Sequence, residues 1–258
     1  MISSLSDATP NLMLSPTLMA ERRNGDSHPV VSSYSLNERM SRYDDLVPRD
    51  ALLSRPVTVL GCGAIGRQVS IQLASMGVPH LRLIDHDTVD AVNLGSQGWL
   101  ECDVGHPKVI RLGGMLRLLN SSIQLDLLPE RYNARQPLGN TLFCCVDDMD
   151  IRQLAFARFW HSLRSSACLF IDGRMLGEVM RVLTVKDTSS AEHYEKQLFD
   201  NDQAHPGRCS TKSTIYCSNV AAGLMVGQYA KWLRGVPVEE DVMFNLIGMA
   251  VSNLGKDL

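Results

Sequence analysis

The sequence has no Cys-x-x-Cys pair among its 7 cysteines (Cys62, Cys102, Cys144, Cys145, Cys168, Cys209 and Cys217), so it offers no paired thiolates for a structural zinc ion. Their number is odd, and no basic segment followed by a solid apolar block opens the chain. A secreted disulfide scaffold is thereby excluded, and a reduced cytoplasmic protein is expected. No apolar run reaches the ~18–20 residues that a membrane span requires. Neither sign of charge is in excess: 25 Lys plus Arg stand against 28 Asp plus Glu, a net charge of −3. Such a balance gives nucleic acid and anionic membranes no strong field to bind. What remains is 258 residues, 45% hydrophobic and 21% charged, an ordinary composition for one large α/β domain.

Residues 1–36 mix Ser, Pro, Asn and charge without periodicity and read as a mobile tail, with 37–258 as a single domain. Residues 36–52 start a short helix that Pro48 interrupts. Buried strands are expected at 56–60 and 80–85, separated by a glycine turn and a helix that stops at Gly77. Val109, Leu112, Leu116 and Leu119 place a helix over 106–120, weakened by Gly113 and Gly114. Strands follow at 123–129, 141–146, 167–172 and 179–185, with helices at 150–164 and 219–235 and an irregular stretch at 186–216. The β-α-β-α-β order predicts an α/β fold. Its sheet is Rossmann-like, doubly wound and mainly parallel, with a mixed or antiparallel C-terminal part.

Gly61, Gly63 and Gly66 form G-x-G-x-x-G between a strand and a helix, with Ala64 and Ile65 between the last two glycines. Glycine allows the tight turn and close backbone approach, and the helix N-terminus presents free N–H groups to phosphate. Asp85 ends the next strand, 19 residues beyond Gly66, where a carboxylate can accept hydrogen bonds from a ribose. These features alone leave NAD and ATP both open, as they do a tight turn that binds nothing.

The residues after Asp85 resemble the ThiF–MoeB-type activating enzymes, relatives of the ubiquitin-activating enzymes. The resemblance rests on Asp85 and Asp87, Asn93-Leu94-Gly95-Ser96-Gln97, Gly105 through Lys108, Cys145-Val146-Asp147-Asp148, and Arg39-Met40-Ser41-Arg42. It implies ATP-dependent adenylation of the C-terminal glycine of a small ubiquitin-like or sulfur-carrier protein ending in Gly-Gly. By the same resemblance Asp85 holds the ribose, and Asn93 and Gln97 line the phosphate side. Lys108 is placed at the phosphates and Asp147 on Mg²⁺, a hard ion that prefers oxygen. Asp148 or Asp150 can cap the helix that follows, leaving Asp147 available. Arg42 corresponds to an arginine that reaches a neighbouring subunit's site, which implies a homodimer.

Two departures stand out. Ser96 occupies the place of the family's arginine, and Arg67, Arg111 and Arg174 are candidate substitutes. The zinc-binding cysteine pairs of many members are missing, so no zinc is expected. Cys209, flanked by Arg208 and Lys212, is the first candidate for a later acyl transfer, because nearby cations favour the thiolate; Cys217 is the second. The rival readings are a catalytically silent dimeric partner, favoured by Ser96, and an NAD-dependent oxidoreductase, which leaves Lys108 and Asp147 without a task.

Overall fold

The computed structural model describes residues 38, 40–43, 45–163, 167–200 and 214–255, the side chains of 162 and 163 excepted. The expected tail at 1–36 and Cys209 lie outside these residues. Eight strands form one sheet in the order β3-β2-β1-β4-β5-β6-β7-β8. They are β1 (Val57–Leu60), β2 (His80–Ile84), β3 (Gln124–Leu128), β4 (Thr141–Cys144), β5 (Leu169–Leu176), β6 (Val179–Val185), β7 (Asp241–Asn245) and β8 (Ala250–Asn253). The first five pair in parallel, and β5 through β8 pair antiparallel.

Helices α1 (Arg49–Leu53), α2 (Ala64–Met76), α3 (Asn93–Gln97), α4 (Lys108–Leu119), α5 (Met149–Leu163), α6 (Thr188–Glu195) and α7 (Ile215–Leu233) complete the fold. The period-2 alternation of the strands sorts their side chains between two cores. Val57, Val59, Leu81, Leu83, Phe143 and Ile171 face α2, α4 and α7. Leu60, Leu142, Cys144 and Phe170 face the opposite side, with Ala155, Phe156 and Phe159 of α5 and Tyr194 of α6. Tyr194 packs tilted against Phe156 and edge-on against Phe170, with ring centroids 4.5 and 5.0 Å apart. Parallel strands covered on both faces need such continuous apolar runs, and β1 and β4 are buried throughout.

Three expectations are corrected. Pro48 precedes the described helix α1 instead of interrupting one, since the first turn needs no N–H from it. The stretch 186–216 contains α6, begun by Asp187, whose side chain accepts from the Ser190 N–H in a capping box. The late helix begins at Ile215, because Thr214 Oγ1 accepts from the Cys217 N–H. Among the described residues, no helix is long and apolar enough to cross a membrane.

Asp241 on β7 holds the antiparallel half together. Its buried carboxylate accepts from Arg181 of β6 at 2.8 and 2.5 Å and lies 2.9 Å from His193 Nε2 of α6. Burial would raise its pKa, but the Arg181 and His193 contacts hold it below the ordinary value. A depressed carboxylate stabilises the fold above its unfolded pKa of about 4, and that stability is lost as pH falls through the folded pKa. Asp241→Asn is therefore expected to cost about 3 kcal/mol at neutral pH, by leaving Arg181 uncompensated. Urea unfolding should show that deficit shrinking as the pH is lowered to about 3.

Candidate functional site

The strand order reverses between β1 and β4, and a pocket of about 570 Å³ opens there at the C-terminal strand ends. Its floor begins where β1 meets α2. Gly61 turns with φ +88°, and a Cβ on it would lie 2.8 Å from the Cys145 carbonyl oxygen. A Cβ on Gly66 would lie 1.8 Å from the Gly61 carbonyl oxygen, so helix and loop touch backbone to backbone. At Gly63 the surroundings are open: a Cβ would meet only Gln97 Nε2, at 4.0 Å. Gly63 caps α2 without any side-chain hydrogen bond, so the first N–H groups of the helix remain available to an anion. The loop therefore has the shape of a phosphate cradle that any larger residue would fill.

Asp85 braces this loop. Its Oδ2 accepts from the Cys62 N–H at 2.6 Å and its Oδ1 from the Asp87 N–H at 2.8 Å. Burial pushes the Asp85 carboxyl up, while Lys108 and these two N–H groups pull it back down. The chain then makes an excursion from 88 to 107 that carries α3. It is closed at its base by Val89 N–H to His106, Gly105 N–H to Val89 and Lys108 N–H to Asp87. This closure places Lys108 as the first residue of α4, its side chain buried and its Nζ 2.8 Å from Asp87 Oδ2. Burial acts to raise the Asp87 pKa, but Lys108 outweighs it and the carboxyl lies below its ordinary value.

On α3, Gln97 Oε1 accepts from Trp99 Nε1–H at 2.9 Å, which leaves the amide nitrogen turned towards Gly63. Asn93 Oδ1 accepts from the Asp90 N–H at 3.1 Å. After β4, Asp148 Oδ1 accepts from the N–H groups of Asp150 and Ile151, and Asp148 Oδ2 pairs with Arg131 at 2.7 Å. Asp148 thus caps α5, while Asp147 is exposed beside it. Among the described residues, no hydrogen bond or ion pair occupies the Asp147 carboxylate.

Gly61, Gly63, Ala64, Ile65, Asp85, Asp87, Asn93, Gln97, Lys108 and Asp147 all line the one pocket. Gly66 supports it from below. Arg42 lies on the exposed turn before α1, away from the pocket lining. Of the described cysteines, Cys145 lines the pocket wall. Burial pushes the thiols of Cys62, Cys144 and Cys145 up, that of Cys144 to about 12, so they stay protonated. Cys217 is fully buried on α7 and packs as a small apolar residue.

Ser96 is not part of the lining, and the three candidate arginines separate. Arg67 is buried under α3, with its guanidinium 4.8 Å from the Trp99 ring centroid. Arg111 is half-buried and pairs with Asp103 at 2.5 Å. Only Arg174 reaches the pocket, joined by two arginines that the sequence reading missed, Arg131 and Arg152. Arg131 follows β3 and Arg152 begins the second turn of α5, so the rule that ligands meet strand ends could have found both. Behind them Asp172 is fully buried. Its Oδ2 accepts from Arg174 Nε at 2.8 Å and Tyr194 Oη at 3.0 Å. Arg152 Nε lies 2.9 Å from Asp172 Oδ1 as an ion pair without hydrogen-bond alignment. Arg174 Nη1 donates to the Gln197 carbonyl at 2.8 Å, and its Nη2 is buried without an acceptor.

Comparison with known proteins decides the family. The ThiF family profile matches residues 34–253. The chain belongs to the ThiF family. Among curated ThiF-type relatives, the adenylyltransferase and sulfurtransferase MOCS3 of Arabidopsis thaliana is 40% identical over 115 residues, covering 40% of this chain and 25% of that protein. The SAMP-activating enzyme E1 of Haloferax volcanii is 34% identical over 103 residues, covering 37% of this chain and 38% of that protein. The matched part thus spans well under two thirds of either relative. Among solved structures, E. coli MccB with AMPCPP and MccA superposes with a TM-score of 0.69 at 20% identity, covering 88% of this chain and 74% of that one. At that identity the likeness establishes the fold.

The two glycines separate fold from binding. Gly66→Ala is expected to destabilise the ThiF-type loop by about 1–3 kcal/mol or more, because the opposing atom is backbone and cannot turn away. Gly63→Ala should unfold at the wild-type temperature yet lose whatever stabilisation ATP confers on the wild type. Thermal melts with and without ATP read both outcomes.

Proposed function

We propose that this chain is an ATP-dependent adenylyltransferase. It would activate the C-terminal glycine carboxylate of a small ubiquitin-like or sulfur-carrier protein, using 37–258 as one adenylation domain. The carrying observation is that a glycine-loop phosphate seat, a buried lysine at a helix start and a wall of arginines share one pocket. Adenylation asks the protein for positioning and charge neutralisation, and those groups supply both.

The α2 N–H groups donate to phosphate oxygens, and Gln97 Nε2 is placed to do the same. Asp85 keeps a lone pair on each oxygen beyond the N–H bonds that it already accepts, enough to receive the ribose hydroxyls. Lys108 turns from Asp87 to the phosphates. Asp147, an exposed carboxylate with its neighbour doing the capping, fits Mg²⁺, which when bound neutralises the triphosphate. The Asp85–His86–Asp87 group fits a metal less well, because backbone amides hold Asp85 and Lys108 holds Asp87. The carrier carboxylate attacks the α-phosphorus, the bond to the bridging oxygen of the β-phosphate breaks, and pyrophosphate leaves with both electrons. Arg174, aided by Arg152, supplies the cation that Ser96 lacks, on the β4–β5 side where the carboxylate must approach.

In the same proposal the enzyme is a cytoplasmic homodimer, with Arg42 reaching the partner's pocket. Cys209 then takes the acyl group, its thiolate attacking the acyl carbon as AMP departs. The alternative of a silent dimeric partner rests on Ser96, and the arginine wall speaks against it. Exchange of labelled pyrophosphate into ATP, with a Gly-Gly-ended carrier present, separates them. Lys108→Ala and Asp147→Asn should each slow exchange on the order of 100-fold, and Arg174→Ala at least tenfold. ATP binding without exchange on any such carrier would leave the silent partner as the correct reading.

A further inference from the structure

A second cavity, of about 300 Å³, lies between the loop joining β3 to β4 and helix α5, outside the nucleotide pocket. Its polar lining consists of Tyr132, Arg135, Gln136 and Arg158, over a floor that includes Leu138 and Phe159. Among the described residues, no aspartate or glutamate contributes. Tyr132 is only 5% exposed, yet its hydroxyl has no hydrogen-bond partner. Gln136 Oε1 accepts from the Asn133 N–H at 2.7 Å, which fixes the amide and leaves a buried Nε2 without an acceptor. Arg135 and Arg158 are exposed at the rim, and among the described residues neither forms an ion pair.

Buried polar groups are almost always satisfied, so two of them in one cavity call for an explanation. Both can donate: a phenol O–H and an amide N–H. The two rim groups are guanidiniums, which donate in a planar fork suited to phosphoryl oxygens. Every polar side chain here is thus a donor or carries positive charge. Burial pushes the Tyr132 phenol up, with the nearby Arg158 charge opposing it, so the hydroxyl keeps its proton to donate. The loop is pre-shaped, since Arg135 N–H and Gln136 N–H both bond to Asn133.

We propose that this cavity is an oxyanion site that takes a phosphoryl group, either as inorganic phosphate or at the end of a small phosphomonoester. Tyr132 and Gln136 bind from below and Arg135 and Arg158 close from the rim. A volume of this size is at the lower end for small-ligand pockets, which fits a phosphate with a short organic body better than a nucleotide. Tyr132 also lines the nucleotide pocket, so the two sites share a wall. The site does not depend on the adenylation reading and stands whether or not the chain turns over ATP.

The test is calorimetric titration of the full chain with inorganic phosphate and with glycerol phosphate, in low-salt buffer free of other oxyanions. Saturable binding is expected, with the organic probe tighter if the cavity body contributes and equal if the phosphoryl group alone is read. Arg135→Ala combined with Arg158→Ala should weaken it at least about tenfold, and both residues are exposed, so folding should survive. Tyr132→Phe should also weaken binding while leaving the melting temperature of the free protein unchanged or higher, since it removes an unsatisfied buried hydroxyl. Lys108→Ala, in the other pocket, should leave the affinity intact. The proposal is overturned if the wild type shows no saturable binding. It also falls if affinity follows Lys108 and ignores the two arginines.

Discussion

One buried carboxylate holds the pocket at the C-terminal strand ends in shape. Asp85 sits at the end of β2, and its two oxygens bind the glycine loop after β1 and the chain that leaves β2. Without it the loop would have no side chain fixing its height above the sheet, and the excursion to Lys108 would lose its starting point. The cost is a carboxylate kept in a poorly solvated place, which shows as its raised pKa. The positive charge of Lys108 nearby makes that tolerable. The residues that prepare the pocket electrostatically are thus the same ones that keep its backbone in place.

Asp172 does the corresponding work at the other end of the pocket. It orients Arg152 from α5 and Arg174 from β5, and Tyr194 fixes the same carboxylate from the α6 side. Gln197 carries the network further, since its carbonyl accepts from Arg174 and its Oε1 from Arg181. Arg181 in turn binds Asp241. A chain of charge-assisted contacts therefore runs from the pocket into the antiparallel half of the sheet. Packing and this network hold that half together.

The parallel half was legible because its signals are local. Buried apolar runs mark the strands, and Gly77 ends α2 in the left-handed conformation. The Gly61–Gly63–Gly66 spacing states its own backbone geometry. Lys108 and Asp147 were legible through motif order. Three features were not. α6 has a short polar sequence, and only Asp187 and Ser190 announce its start. Strands β7 and β8 are brief and carry no turn signature strong enough to stand out. Arg131 and Arg152 come together with Arg174 through tertiary structure alone, 21 to 43 positions apart with nothing local to pair them. Of the three candidate substitutes for Ser96, folding buries Arg67, pairs Arg111 with Asp103 and admits Arg174 to the pocket.

The strand order β2-β1-β4-β5 has a thermodynamic corollary. Residues 57–128 build one flank of the pocket and residues 141–253 the other, and they meet in the sheet along the parallel seam of β1 with β4 and beside it where α2 packs on α7. A ligand lying across that seam is a noncovalent crosslink between two segments distant in sequence. It binds neither flank well by itself, so its binding energy is linked to formation of the whole sheet. Occupancy then slows opening of the seam ahead of any fraying at the sheet edges, and protection from exchange would spread from the central strands outward.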